Sequence, residues 1–145
     1  MERRGLIARG ASCASLEKMK GIEIAGGGLT GLSLGIALRE RGVPVIVREA
    51  SSYPRHRVCG EFINGVTEDT LKHLGITDIF HDALRHHSTR WWMGPKKILE
   101  ARLTRPALGM SRWEMDERLR IRFEDIGGRL ITKDRVQPEI REGLV

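Results

Sequence analysis

Gly21-Ile22-Glu23-Ile24-Ala25-Gly26-Gly27-Gly28-Leu29-Thr30-Gly31 is the most informative run in this 145-residue chain. Ile22, Ile24 and Ala25 predict a short buried strand. Gly26-x-Gly28-x-x-Gly31 predicts the turn that follows it, and an apolar helix pattern then runs to Arg41. A turn of this kind aims the first amides of a helix, which carry about half a positive charge, at an anion such as a pyrophosphate. Each glycine has its own task. Gly26 permits the tight turn, Gly28 lets a phosphate approach the backbone, and Gly31 lets the helix press on the strand.

Outward from the turn, Leu32, Leu34, Ile36, Ala37 and Leu38 make the helix apolar on most sides, and Gly31 and Gly35 form a bare ridge along it. Gly35 costs the helix roughly 1 kcal/mol against Ala, which close packing on a sheet would offset. Arg39-Glu40-Arg41 is the wet end, and Gly42 stops the helix before Val43-Pro44. Val45-Ile46-Val47 is a continuous β-branched run, expected of a parallel strand covered on both faces. Glu49 ends that strand, so Gly21 to Glu49 reads as a complete βαβ unit of an α/β, Rossmann-like fold. Glu49 follows Gly31 by 18 residues. A dinucleotide-binding unit places its acid there, to accept hydrogen bonds from ribose hydroxyls. The same acid repels a 2′-phosphate, and Arg48 beside it should point away by strand alternation. These residues alone leave NAD and FAD open.

Length and composition set the frame. One domain's worth of chain, 40% hydrophobic and 30% charged, has the balance of a soluble globular protein. No apolar run approaches the ~20 residues of a membrane span. Residues 1–18 are expected to be a disordered extension ahead of a domain at 19–145. An organelle leader would use Arg3, Arg4, Arg9, Ser12 and Ser15, but Glu2 and Glu17 oppose it. The net charge of +6 raises the question of nucleic acid. The basic groups Arg55-His56-Arg57, Lys96-Lys97 and Arg118-Arg120-Arg122 are scattered among acids, however, so a diffuse basic surface near an anionic cofactor is preferred. Cys13 and Cys59 are too few for a disulfide framework and fit reduced thiols in a cytoplasmic protein.

Farther along, Thr67 is placed as the N-cap of a short helix through Leu71 and Leu74, stopped by Gly75. Arg90-Trp91-Trp92-Met93 and Ile98-Leu99-Glu100-Ala101-Arg102-Leu103 predict an antiparallel hairpin around Gly94-Pro95-Lys96-Lys97. Alternation puts one of the two tryptophan rings in the core. Ser111-x-x-Glu114 is a capping box opening a helix with the stripe Met115, Leu119, Phe123 and Ile126, closed by Gly127-Gly128. Leu130-Ile131 and Val136 each mark a further strand. His81, His86 and His87, with Asp78 and Asp82, fit no standard zinc spacing and read as a surface cluster.

Three features now coincide: the strand–GxGxxG–helix–strand–Glu unit, the loop Arg57-Val58-Cys59-Gly60-Glu61-Phe62-Ile63, and Ser111-Arg112-x-x-x-Asp116-x-x-Leu119. Together they resemble the N-terminal part of FAD-dependent oxidoreductases of the group that includes geranylgeranyl reductases and aromatic-ring hydroxylases, over about Lys20 to Val136. The resemblance implies FAD as cofactor, NAD(P)H as electron donor and a small organic substrate. It also implies cofactor roles residue by residue. Gly26, Gly28 and Gly31, with the amides of Leu29 and Thr30, would receive the pyrophosphate. Glu49 would hold the adenosine ribose, Arg57 and Cys59-Gly60 would run near the flavin end, and Arg112 would lie alongside the cofactor.

Asp116 has a plainer reading as an acid favoured in the first turn of a helix. Cys59 is weighed as a small packed residue against a redox thiol, and packing is preferred. No catalytic residue and no metal ligand is assigned. The group's downstream Gly-Asp element has no counterpart up to Val145, so a truncated or split protein is expected, and activity of this chain alone is left open. The alternatives are an NAD-binding Rossmann module and a degenerate, non-catalytic fragment.

Overall fold

The computed structural model describes residues 21–59 and 61–137. Strand β1 (Ile22–Ala25) leads through the glycine turn into helix α1 (Leu29–Arg39), and β2 (Val45–Glu49) follows. Helix α2 (Glu68–Leu74) is capped by the Thr67 hydroxyl, which accepts from the Thr70 amide at 3.1 Å, and ends at Gly75 in the left-handed region. The Ser111 hydroxyl accepts from the Glu114 amide at 3.1 Å and opens helix α3 (Arg112–Asp125). Each of these helix starts follows from a polar cap satisfying an orphan amide.

The first sheet holds three parallel strands in the order β1-β2-β6, where β6 is Arg129–Thr132. Val45, Val47 and Glu49 turn to the helix side and are buried, and Leu32 and Ile36 of α1 meet Met115, Leu119 and Phe123 of α3 in the same core. Gly35 has the packing role expected of it. A Cβ there would stand 2.9 Å from the Phe123 ring and 3.5 Å from Val47, so the two helices meet through its missing side chain.

Two burial expectations are corrected. Val45-Ile46-Val47 is not covered on both faces. Ile46 and Arg48 lie opposite the helices and are partly exposed, and Arg48 pairs there with Glu23 (2.8 Å) and Asp134 (2.6 Å). β1 is not buried either. Among the described residues it is an edge strand paired only to β2, and Ile22 is 41% exposed. Val136 lies in no strand.

The second sheet is antiparallel in the order β3-β5-β4, formed by β3 (Phe62–Ile63), β4 (Leu84–Met93) and β5 (Lys96–Gly109). The predicted hairpin is present and much longer than expected. Its base carries buried Ala107 and Leu108, while its outer half is a two-stranded ribbon. Neither tryptophan is core: Trp91 is 59% and Trp92 60% exposed. Alternation assigns a side chain to a face, but the ribbon extends past the helices that would cover that face.

Candidate functional site

The end of β1 is where the chemistry converges. Gly26 has φ +98° and so takes the turn that other residues resist. A Cβ on Gly31 would lie 1.9 Å from the Gly26 carbonyl oxygen, so α1 presses directly on the turn, as predicted. Gly28 is the N-cap of α1 with no side-chain cap bond, and the first turn of the helix holds no acid. The amides at its start are therefore open to an anion.

Two guanidinium groups stand over this turn. The position of a Cβ on Gly28 is 3.9 Å from Arg112 Nη2 and 4.0 Å from Arg55 Nη2, with no other atom nearer. Arg112 is held by a fork onto Asp116, Nε to Oδ1 at 3.1 Å and Nη2 to Oδ2 at 3.0 Å, and Asp116 is wholly buried. Arg55 is buried too. Its Nη2 donates to the Gly27 carbonyl at 3.3 Å, its Nη1 is in ion-pair contact with Glu49 Oε1, and its Nε is 3.9 Å from Asp116 without a hydrogen-bond partner. A buried guanidinium with an unsatisfied N–H, beside a bare helix start, is suited to a further anionic oxygen.

Glu49 is locked into the same network. Oε2 accepts from the Gly27 amide at 2.7 Å and Oε1 from the Ser51 amide at 2.9 Å, and the residue is 4% exposed. Burial alone would raise its carboxyl, but the Arg55 contact and the Ser51 and Gly27 amides outweigh burial and bring it down to about 2. The Tyr53 hydroxyl donates to the Gly27 carbonyl, and its ring lies 4.9 Å from the Arg55 guanidinium carbon. Burial pushes that phenol above its ordinary value, so it remains a donor.

Two clefts flank the turn. One, about 380 Å³, is lined by Gly26, Glu49, Ser51, Arg57 and Asp134. The other, about 300 Å³, is lined by Leu29, Cys59, Phe62, Met110 and Arg112. Arg55 and Arg112 lie between them, at Gly28. Gly26, Gly28, Leu29, Gly31, Glu49 and Arg112 therefore gather as expected, with the exposed Thr30 in the first turn of α1. Arg57 and Cys59 are separated. Arg57 lies 3.9 Å from Glu49 on the first side, while Cys59 lines the second. Gly60 lies outside the described residues.

Gly27, Tyr53 and Arg55 carry no expected site role in the sequence. A Cβ on Gly27 would fall 2.1 Å from the Tyr53 hydroxyl, so the middle glycine is needed as well. Arg55 stood out only as part of a basic trio. Asp116 proves to be the anchor of Arg112 rather than a dipole residue alone. In the histidine cluster, Arg118 forks onto Asp82 at 2.6 and 2.8 Å and holds its carboxyl down at about 2.

Comparison with known proteins points the same way. A family model described as "FAD binding domain" matches residues 19–136. No curated protein matches the chain. Among solved structures, the tetrameric form of 2-methyl-3-hydroxypyridine-5-carboxylic acid oxygenase is 27% identical with a TM-score of 0.69, over 81% of this chain and 32% of that one. p-Nitrophenol 4-monooxygenase from Pseudomonas putida DLL-E4 shares the fold at 17% identity and TM-score 0.69, over 79% of this chain and 32% of that one. So does the myxobacterial chondrochloren halogenase, at 22% and 0.64, over 85% and 30%. The chain thus spans about a third of the length of the structures it matches. The match across most of its length, on a fold whose glycine turn, buried acid and paired arginines suit a dinucleotide, places the chain in the FAD binding domain family.

Proposed function

We propose that this chain supplies the FAD-binding portion of a flavin-dependent oxygenase or related oxidoreductase that uses NAD(P)H as electron donor and acts on a small organic substrate. The observation that carries the reading is the pair of guanidinium groups, Arg55 and Arg112, both about 4 Å from where a Cβ on Gly28 would stand, over an uncapped helix start. In this reading the pyrophosphate lies on Gly26, Gly28 and Gly31 against the amides of Leu29 and Thr30, with Arg112 and Arg55 neutralising it from above. Glu49 and Arg57 bound the cleft for the adenosine ribose. Cys59 and Arg112 border the opposite cleft, toward the flavin.

FAD, once bound, supplies the electron transfer itself, and the protein's part is binding, orientation and electrostatics. Asp116 keeps the Arg112 fork aimed at the turn, and Tyr53 with Glu49 fixes the Gly27 peptide between its carbonyl and its amide. Reduction and oxygenation of a substrate are proposed for the whole protein, by likeness to relatives of which this chain covers about a third. The test is a titration of the chain with FAD and, separately, with NAD, followed by flavin fluorescence and calorimetry. Saturable FAD binding with NAD at least tenfold weaker supports the reading; a preference for NAD overturns it.

A further inference from the structure

Glu49 and Arg55 serve two ends of the proposed cofactor site, ribose and phosphate, yet in the structure each is spent on the other. A carboxylate offers about four lone-pair sites. On Glu49, Oε1 accepts from the Ser51 amide at 2.9 Å and also meets Arg55 Nη1, while Oε2 accepts from the Gly27 amide at 2.7 Å. Oε1 is therefore full. A ribose presents a pair of neighbouring hydroxyls, and with Arg55 in place Glu49 can accept from one of them at most.

Arg55 has the opposite shortage. It is buried, and its Nε and Nη1 have no hydrogen-bond partner. Nη2 makes a single long bond, 3.3 Å, to the Gly27 carbonyl and stands 4.0 Å from the position of a Cβ on Gly28. Buried N–H groups left unpaired are costly, and a phosphate oxygen over Gly28 would satisfy them better than the present contacts do. The surroundings tolerate the move. Asp116, wholly buried, has Oδ2 3.9 Å from Arg55 Nε, so a counter-charge stays beside the guanidinium when it leaves Glu49. The turn keeps its shape as well. The Tyr53 hydroxyl still holds the Gly27 carbonyl, and the Gly27 and Ser51 amides still hold Glu49. Glu49 would then offer a free lone pair on Oε1 at the wall of the cleft lined by Gly26, Ser51 and Arg57.

We propose that Arg55 couples the two ends of the site by exchanging partners: a phosphate on Gly28 draws its guanidinium off Glu49, and the freed Oε1 takes a ribose hydroxyl. Arg55 is thereby a positioning residue for the ribose as well as a ligand of the phosphate. The site selects phosphorylated adenosine over adenosine by more than the phosphate contacts themselves, because half of the ribose contact is closed until a phosphate arrives. The inference rests on the pyrophosphate site proposed above.

The experiment titrates the full chain with adenosine by saturation-transfer NMR, with and without inorganic phosphate, at an ionic strength held constant with sodium chloride. Adenosine is uncharged, so simple attraction between ligand and arginine does not enter. Phosphate should tighten adenosine binding roughly tenfold, and adenosine should tighten phosphate binding by the same factor. Arg55→Met fills the space but donates no hydrogen bond. It should bind phosphate more weakly and adenosine more tightly than the parent, with no remaining effect of one on the other. A merely structural role for Arg55 would weaken both. Where circular dichroism shows that Arg55→Met does not fold, the titration of the parent decides. A parent that binds phosphate but whose adenosine affinity ignores it overturns the exchange and leaves the pyrophosphate site standing. Coupling that survives in Arg55→Met overturns it too. A parent that binds no phosphate overturns both.

Discussion

The glycine turn and the outer ribbon both hold several cations, and the two regions treat them oppositely. At the turn, Arg55 and Arg112 are packed against Glu49 and Asp116, which are buried, and every group in the network is fixed by another. On the ribbon, cations stand exposed beside exposed tryptophans, sharing one glutamate. The difference teaches where substitutions should register. A buried charge network fails strongly when one partner is lost, because the other is left desolvated, whereas exposed pairs contribute about 0–1 kcal/mol.

The largest effect is expected at Gly31. A methyl there would meet a backbone oxygen at 1.9 Å, and backbone cannot swing aside. Gly31→Ala should cost on the order of 4 kcal/mol or more and leave a chain without a cooperative thermal transition. A normal melt for that variant would contradict the packing of α1 on the turn. Glu49→Gln comes next. It leaves buried Arg55 without its closest counter-charge, with only Asp116 at 3.9 Å remaining, and should lower stability by about 3 kcal/mol in a urea titration.

Acid sharpens the comparison further, since Glu49 and Glu100 are both held near about 2. A carboxyl whose folded pKa is depressed stabilises the protein above its ordinary pKa, 4.5 here. That contribution disappears as pH falls from about 4.5 to about 2. Thermal melts across this window should show Glu49→Gln removing much of the acid sensitivity and Glu100→Gln, on the ribbon, removing little. Equal effects would mean that burial does not separate the two regions. The smallest change is expected for Lys96→Gln/Lys97→Gln, within about 0.5 kcal/mol of the parent in the same urea titration.

What the sequence disclosed follows from the range of each interaction. Gly26, Gly28, Gly31 and Glu49 were legible because strand, turn and helix are local patterns with fixed spacing. The caps at Thr67 and Ser111 were legible for the same reason. Arg55 and Tyr53 were not, because a loop gives no periodicity to say which side chains turn inward. Asp116 reads from the sequence as a helix-dipole residue because it lies near the start of its helix, and spacing alone does not reveal that it is buried under Arg112. The expectation of one core ring among Trp91 and Trp92 fails because alternation defines faces without saying whether a layer covers them. Nor does the sequence reveal that the fold pairs Arg118 with Asp82 and Arg122 with Glu40, segments far apart in the chain.

Gly28 gives the most direct test of the central claim. Its φ is −83°, and an added methyl would make only ordinary contact with the two arginines, so Gly28→Ala should fold and melt like the parent within about 1 kcal/mol. The same methyl would stand where the pyrophosphate is proposed to meet the backbone. Calorimetric titration of parent and variant with FAD should show at least a tenfold loss of affinity in a protein of unchanged stability. A Gly28→Ala chain that binds FAD as tightly as the parent would contradict the assignment of the turn, and of Arg55 and Arg112 above it, as the pyrophosphate site.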